Sequence, residues 1–136
     1  MGPMASIHQD IQLGVTPDEA WAAVRDFGAV HVRVAPGFVT DTRLDGDDRI
    51  VTFHTGAVAT ERLVTVDDRR RRLVYSVVDS PLGFSHHQAS VEIVDGSASE
   101  GCRLRWTADV LPGAVAPVVD GLMAQGAAAI ARALAG

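Results

Sequence analysis

Few residues in this chain could move a proton. The candidates are Glu61, Tyr75 (the only tyrosine) and the adjacent pair His86 and His87. A carboxyl, a phenol and an imidazole can each act as general acid or base when their surroundings tune them. Glu61 falls in a strand-like stretch. A carboxylate facing an apolar interior is costly to ionise unless paired, and burial would favour its protonated form. Glu61 therefore reads as a polar anchor, as the partner of an arginine or water network, or as an ordinary surface ion pair. Tyr75 shares a strand face with Val77, and a buried tyrosine hydroxyl finds a hydrogen-bond partner. His86 and His87 point to opposite faces if both lie in a strand, so one ion bound by both is disfavoured. His86 goes with Gln88 and Ser90, and His87 with Ala89 and Val91. A β-bulge would exchange the two sets, and a solvent-wetted pair at the strand start is the plain alternative.

The remaining polar side chains offer less. His31 lies between two short helical segments and could equally be a surface residue. His54 alternates with Ile50 and Thr52, on the face opposite Val51, Phe53 and Thr55. Cys102 has neither a base nor a cleft evident around it. No Cys or His spacing suggests zinc, and no His-Glu-x-x-His or Gly-x-Ser-x-Gly is present. All twelve basic residues are Arg. Without lysine, Schiff-base chemistry, pyridoxal attachment and a P-loop are unavailable to the chain. No metal and no cofactor is expected.

The elements that would position these groups form one domain over residues 1–136. A net charge of −5 and a pI near 5.4 argue against nucleic acid as a partner. With one cysteine no intrachain disulfide can form, and a reducing cytoplasm is the default. No apolar run of about 18 residues, as a membrane span needs, is evident, nor a signal peptide. Gly2 and Ser6 formally fit a myristoylation pattern, but Gly2-Pro3 reads more simply as a cloning remnant covering residues 1–3, ahead of Met4.

Residues 6–15 read as a strand. Thr16-Pro17-Asp18-Glu19 is a helix start with cap, N1 proline and capping-box glutamate, followed by Trp21, Val24 and Phe27 on one face. A second helical turn is expected over 29–34. Six strands follow, at 38–44, 49–55, 58–66, 73–78, 86–94 and 102–110, separated by short turns. The four arginines 69–72 sit in one such turn and read as a solvated hairpin tip. This spacing favours an antiparallel meander. Residues 114–134 form a long helix with an apolar stripe of Val115, Val118, Val119, Leu122, Met123, Gly126, Ile130 and Leu134. The class is α+β, with the helix needing a curved sheet to bury against.

In order and spacing, several segments resemble one superfamily. They are Trp21-Ala22-Ala23-Val24-Arg25-Asp26-Phe27-Gly28, Pro36-Gly37-Phe38-Val39 and Glu61-Arg62-Leu63-Val64. Asp67-Asp68 through Arg72-Leu73-Val74-Tyr75, His87-Gln88-Ala89-Ser90 and Gly126-Ala127-Ala128-Ala129-Ile130 complete the set. The chain is similar to the START-related SRPBCC superfamily, the polyketide cyclase/dehydrase-like helix-grip proteins. The resemblance implies a seven-stranded antiparallel sheet curved around the C-terminal helix, two short helices after the first strand, and a cavity between helix and sheet.

It also implies which side chains face that cavity. Val51 and Phe53 would face inward and His54 outward. Glu61, Leu63, Tyr75 and Val77 would face inward. His87 is favoured over His86 as the imidazole in the cavity, and His31 would stand at the mouth. Gln88 and Ser90 join the candidate ligand contacts, as do Val119, Leu122, Met123 and Gly126, with Val118 and Ile130 in the helix wall. The loop 81–85 could close over a ligand.

Three functions are compatible with this resemblance. One is a module, monomeric or weakly dimeric, that binds a small hydrophobic or polyketide-like molecule. Another is a cofactor-independent cyclase or dehydratase with Glu61, Tyr75 and His87 as acid–base groups. The third is a stress or interaction protein whose cavity is vestigial. Some related hormone receptors anchor a carboxylate with lysine. Lacking one, this chain is expected to prefer a neutral or weakly polar ligand.

Overall fold

The computed structural model describes residues 3–96 and 101–136. Met1 and Gly2, and with them the myristoylation pattern, lie outside the described residues. The chain begins with strand β1 (Ala5–Leu13). Helix α1 (Pro17–Arg25) then starts as its sequence dictates: the Thr16 hydroxyl accepts from the Glu19 N–H at 3.2 Å, and Pro17 occupies the first turn. Its buried face carries Ala20, Trp21, Ala23 and Val24. Beyond Arg25 the chain folds through a 3₁₀ turn (Phe27–Ala29) and a π-helical turn (Val30–Val34).

Six further strands follow: β2 (Val39–Asp45), β3 (Asp48–Phe53), β4 (Val58–Asp67), β5 (Arg72–Asp79), β6 (His86–Asp95) and β7 (Cys102–Leu111). They form one antiparallel sheet in the order β1-β7-β6-β5-β4-β3-β2. β1 and β2 are consecutive in the chain yet lie on opposite edges, so the segment with α1 crosses from one edge to the other. Register shifts between Thr60 and Glu61 and between Leu63 and Thr65 interrupt the β4–β5 ladder. Such bulges bend a strand and increase its twist, which helps to curve the sheet.

Helix α2 (Ala116–Ala133), preceded by a turn over Gly113–Val115, lies on the sheet. It buries Val119, Met123, Gly126, Ala129 and Ile130. Gly126 permits a close approach: a Cβ there would lie 2.9 Å from Trp106 Cζ3 and 3.1 Å from Phe38 Cε2. At the far end, the Gly14 N–H donates to Leu134 O at 2.8 Å, which satisfies one of the helix's terminal carbonyls.

Several expectations need correction. β3 stops at Phe53, because the chain turns over His54, Thr55 and Gly56, whose φ is +90°. Val118 is 53% exposed and no part of the cavity wall. Adjacent helical residues diverge by about 100°, so Val118 turns outward when Val119 faces the sheet. Residues Gly113–Ala133 are, by length and composition, apolar enough to cross a membrane. Their many alanines and glycines make this apolar stretch inconspicuous in the sequence; in this fold its stripe packs on the sheet. The arginine turn is also more than a solvated tip. Arg71 pairs with Asp18 of α1 and with Asp95. Asp68 beside it accepts from Trp21 Nε1 at 2.9 Å and from Arg25 Nε at 2.8 Å, fastening the β4–β5 hairpin to the first helix.

Candidate functional site

Between α2 and the sheet lie two adjoining spaces. The outer cavity encloses about 200 Å³. Its walls come from Phe53 and the turn after it, Ala59 and Glu61 on β4, Tyr75 and Val77 on β5, and the loop with Leu82 and Phe84. His87 on β6, Trp106 and Ala108 on β7, and Val119, Leu122 and Met123 on α2 complete them. The inner space holds about 70 Å³ beneath Val24, Val34, Arg49, Val51, Gly126 and Ile130. Phe38, Phe53, Glu61, Tyr75 and Trp106 border both and form the partition between them.

One member of the partition, Glu61, belongs to a buried ion pair with Arg49, which borders the inner space alone. Arg49 and Glu61 sit directly opposite each other in the β3–β4 register, and each is only 7% exposed. Arg49 Nε donates to Glu61 Oε1 at 2.7 Å, and its Nη1 reaches Phe27 O at 3.3 Å. The guanidinium carbon stands 4.1 Å from the Phe27 ring centroid and 5.1 Å from that of Tyr75. Counter-charge, carbonyl and aromatic faces together compensate the desolvation of the arginine. Of the readings open for Glu61, the structure gives an inward carboxylate paired with an arginine.

Tyr75 receives a hydrogen bond from Trp106 Nε1 at 3.1 Å. Burial pushes its hydroxyl pKa well above the ordinary tyrosine value, and the Glu61 charge adds to this, so the phenol stays protonated.

His87 is fixed by a gap in the sheet. The β5–β6 ladder runs from Arg72↔Glu92 to Tyr75↔Ala89 and then stops. Past that point the Val77 N–H donates to His87 Nδ1 at 2.9 Å, and the Ser76 hydroxyl donates to His87 O. The imidazole also packs at a tilt against Tyr75 and Phe84, with ring centroids 5.9 Å and 5.0 Å away. Burial, followed by the neighbouring His86, pushes its pKa down to about 4. The ring is therefore neutral at pH 7. With Nδ1 accepting, its proton resides on Nε2.

The other proposed contacts are placed as follows. Phe53, Val77, Val119, Leu122 and Met123 border the outer cavity, and Val51 and Gly126 the inner one. His86, Gln88 and Ser90 are corrected to positions away from both. The β6–β7 register runs unbroken from His86↔Leu111 to Asp95↔Cys102, so no bulge exchanges the faces, and alternation sends these three to the other side. Leu63 packs on the core and His31 is half-buried, yet neither borders the outer or the inner cavity. His54 is exposed but stands at the outer cavity's rim, with Nε2 3.2 Å from Gln125 Oε1 of α2. Cys102 is buried; its thiol donates to Val15 O at 3.4 Å and burial raises its pKa, which leaves it structural.

Two polar members of the site were missed in the sequence. Arg49 alternates with Val51 and Phe53, and Trp106 with Leu104 and Ala108. Strand alternation alone would have placed both inside. Among the described residues no three His, Cys, Asp or Glu side chains come together as a metal site.

Residues 4–136 match the family described as polyketide cyclase/dehydrase and lipid transport. Three solved structures share the fold over nearly their whole length. The protein XoxI from Bacillus cereus superposes with a TM-score of 0.84 at 18% identity, covering 96% of this chain and 95% of that one. A Thermobifida fusca protein gives 0.75 at 28% identity, with coverages of 96% and 95%. A point mutant of norcoclaurine synthase from Thalictrum flavum, in complex with a transition-state analogue, gives 0.71 at 21%, with coverages of 97% and 94%. At 18% and 21% identity, the superpositions on XoxI and norcoclaurine synthase establish shared architecture alone. The helix-grip fold around a cavity and the match over residues 4–136 lead to one assignment: the chain belongs to the polyketide cyclase/dehydrase and lipid transport family, within the START-related SRPBCC superfamily.

Proposed function

We propose that this protein binds a small, largely hydrophobic, uncharged molecule in its outer cavity. The observation that carries this reading is the composition of the walls. Phe53, Val77, Phe84, Ala108, Val119 and Met123 enclose the space, and a few polar groups gather at its inner end. Apolar enclosure with few oriented polar groups is the common form of a ligand site. Arg49, the one buried cation among the described residues, is already matched by Glu61, so an acid entering the cavity would find no free counter-charge there. A norcoclaurine synthase structure of this fold holds dopamine and hydroxybenzaldehyde, which illustrates the size of guest such a scaffold accommodates. One chain completes the cavity, so a monomer suffices.

A second reading has support in one arrangement. Glu61, Tyr75 and His87 all border the same cavity, as a cyclase or dehydratase would require. Their states favour binding over proton abstraction: Glu61 is held by Arg49, Tyr75 keeps its proton, and His87 is a weak base.

Native mass spectrometry of gently purified protein, together with thermal-shift screening of a neutral hydrophobic library, tests the binding reading. A co-purifying apolar guest or a ligand-dependent rise in melting temperature is expected. Absence of both would end it.

A further inference from the structure

We propose that Tyr75 and His87 form a two-donor clamp that selects guests bearing a neutral acceptor oxygen, such as a ketone, aldehyde or quinone carbonyl. This rests on the binding reading above and specifies the chemistry of the guest's polar end.

Each of the two groups has one hydrogen-bonding function occupied by the protein and one left over. Tyr75 Oη accepts from Trp106 Nε1 at 3.1 Å, which leaves the phenolic proton to be donated. His87 Nδ1 accepts from the Val77 N–H at 2.9 Å, which leaves the Nε2–H. No described residue accepts either proton. Both residues are deeply buried, at 5% and 7% exposure, and both border the outer cavity. Their rings pack 5.9 Å apart on the wall of the same cavity, which brings both residues within reach of one small guest. A buried donor without a partner is costly, and a guest that supplies an acceptor recovers that cost.

The surrounding charges exclude other guests. Glu61 borders the same space but is paired with Arg49, which also engages Phe27 O, so neither an anion nor a cation finds free counter-charge there. A protonated amine would bring further donors to a place already rich in them. A hydrocarbon would leave both donors unsatisfied. A carbonyl oxygen has two lone pairs and no proton, and it complements both donors together.

The test uses two probes of matched shape, 2-acetonaphthone and 2-isopropenylnaphthalene, in which a CH₂ replaces the carbonyl oxygen. Affinities for both are measured by calorimetry on the full chain, as wild type, Tyr75→Phe and His87→Phe. The hydrocarbon is the internal control for an intact cavity, so the ratio of the two affinities is the quantity read. In the wild type the ketone is expected to bind about tenfold tighter, and each variant should reduce that ratio by roughly three- to tenfold. The infrared carbonyl band of the bound ketone should lie below its position in hexane and return toward it in each variant. Equal affinities in the wild type, or an unchanged ratio in both variants, would overturn the clamp and leave apolar binding standing. If neither probe binds the wild type, the cavity reading fails, and the clamp with it.

Discussion

Arg49 and Glu61 face each other across the β3–β4 ladder, joined at 2.7 Å, with Glu61 in the wall that separates the two cavities and Arg49 on its inner side. Both side chains are almost entirely removed from water. Each charge is tolerable only because of the other, since breaking a buried pair strands the remaining ion in a low-dielectric interior. The pair also braces the sheet where β4 bulges next to Glu61.

Glu61→Gln should therefore destabilise the fold by about 3–5 kcal/mol, the usual cost of removing one partner of a buried pair. The double variant Arg49→Met, Glu61→Leu should recover much of that loss, because no charge is left behind. Urea unfolding of the three proteins reads this directly. A double variant no more stable than Glu61→Gln would show that the pair is not the coupled unit described.

His87 makes stability depend on pH. Its folded pKa lies near 4, below the 6.5 of an ordinary histidine, so the unfolded chain takes up a proton at higher pH than the folded chain does. The contribution is complete above pH 6.5, is lost as pH falls from there to 4, and is constant below. Full loss amounts to about 3 kcal/mol. Glu61 and Tyr75 border the same cavity, His86 is adjacent, and Asp109 lies on the neighbouring β7 strand, so His87→Phe is needed as the reference. Relative to His87→Phe, the wild-type urea midpoint should fall as pH drops from 7 to 4.5. Parallel curves would refute the assignment.

Gly126→Ala should destabilise even though alanine is the better helix former. The new methyl would meet Trp106 and Phe38 at about van der Waals overlap. Overpacking of this kind costs about 1–3 kcal/mol, against a propensity gain of about 1 kcal/mol. Thermal unfolding decides the sign, and a raised melting temperature would mean that α2 is free to lift from the sheet.

Ala108→Phe should fill the outer cavity while leaving the ladder intact, because Ala108 is a wall residue within the regular β6–β7 and β1–β7 pairings. Binding of any neutral probe found by the wild type should fall by at least about tenfold, the loss expected when a guest's apolar contacts are displaced. Undiminished binding with native-like circular dichroism would place the guest elsewhere.

The fold was readable in the sequence because its local signals agree. Thr16-Pro17-Asp18-Glu19 starts a helix, turn residues separate six apolar stretches, and the last segment has helical spacing. Within the site, alternation correctly put His87 on the face opposite His86. What could not be read was pairing. Arg49 and Glu61 are twelve positions apart, and only the hairpin register brings them together. The partner of the His87 ring is likewise a backbone N–H on another strand, a contact that no spacing along β6 encodes.

The end of the β5–β6 ladder at Tyr75↔Ala89 has a mechanical consequence. Two strands that part must leave backbone groups unpaired, and such groups drive strands to zip together. Here side chains saturate them: the His87 ring takes the Val77 N–H, and the Ser76 hydroxyl takes His87 O. The imidazole is thus a wedge, holding the cleft open by occupying the bond that would close it. The gap between β5 and β6 beside the cavity is held by one substituted rung of the sheet, at the strand positions themselves and not in any loop.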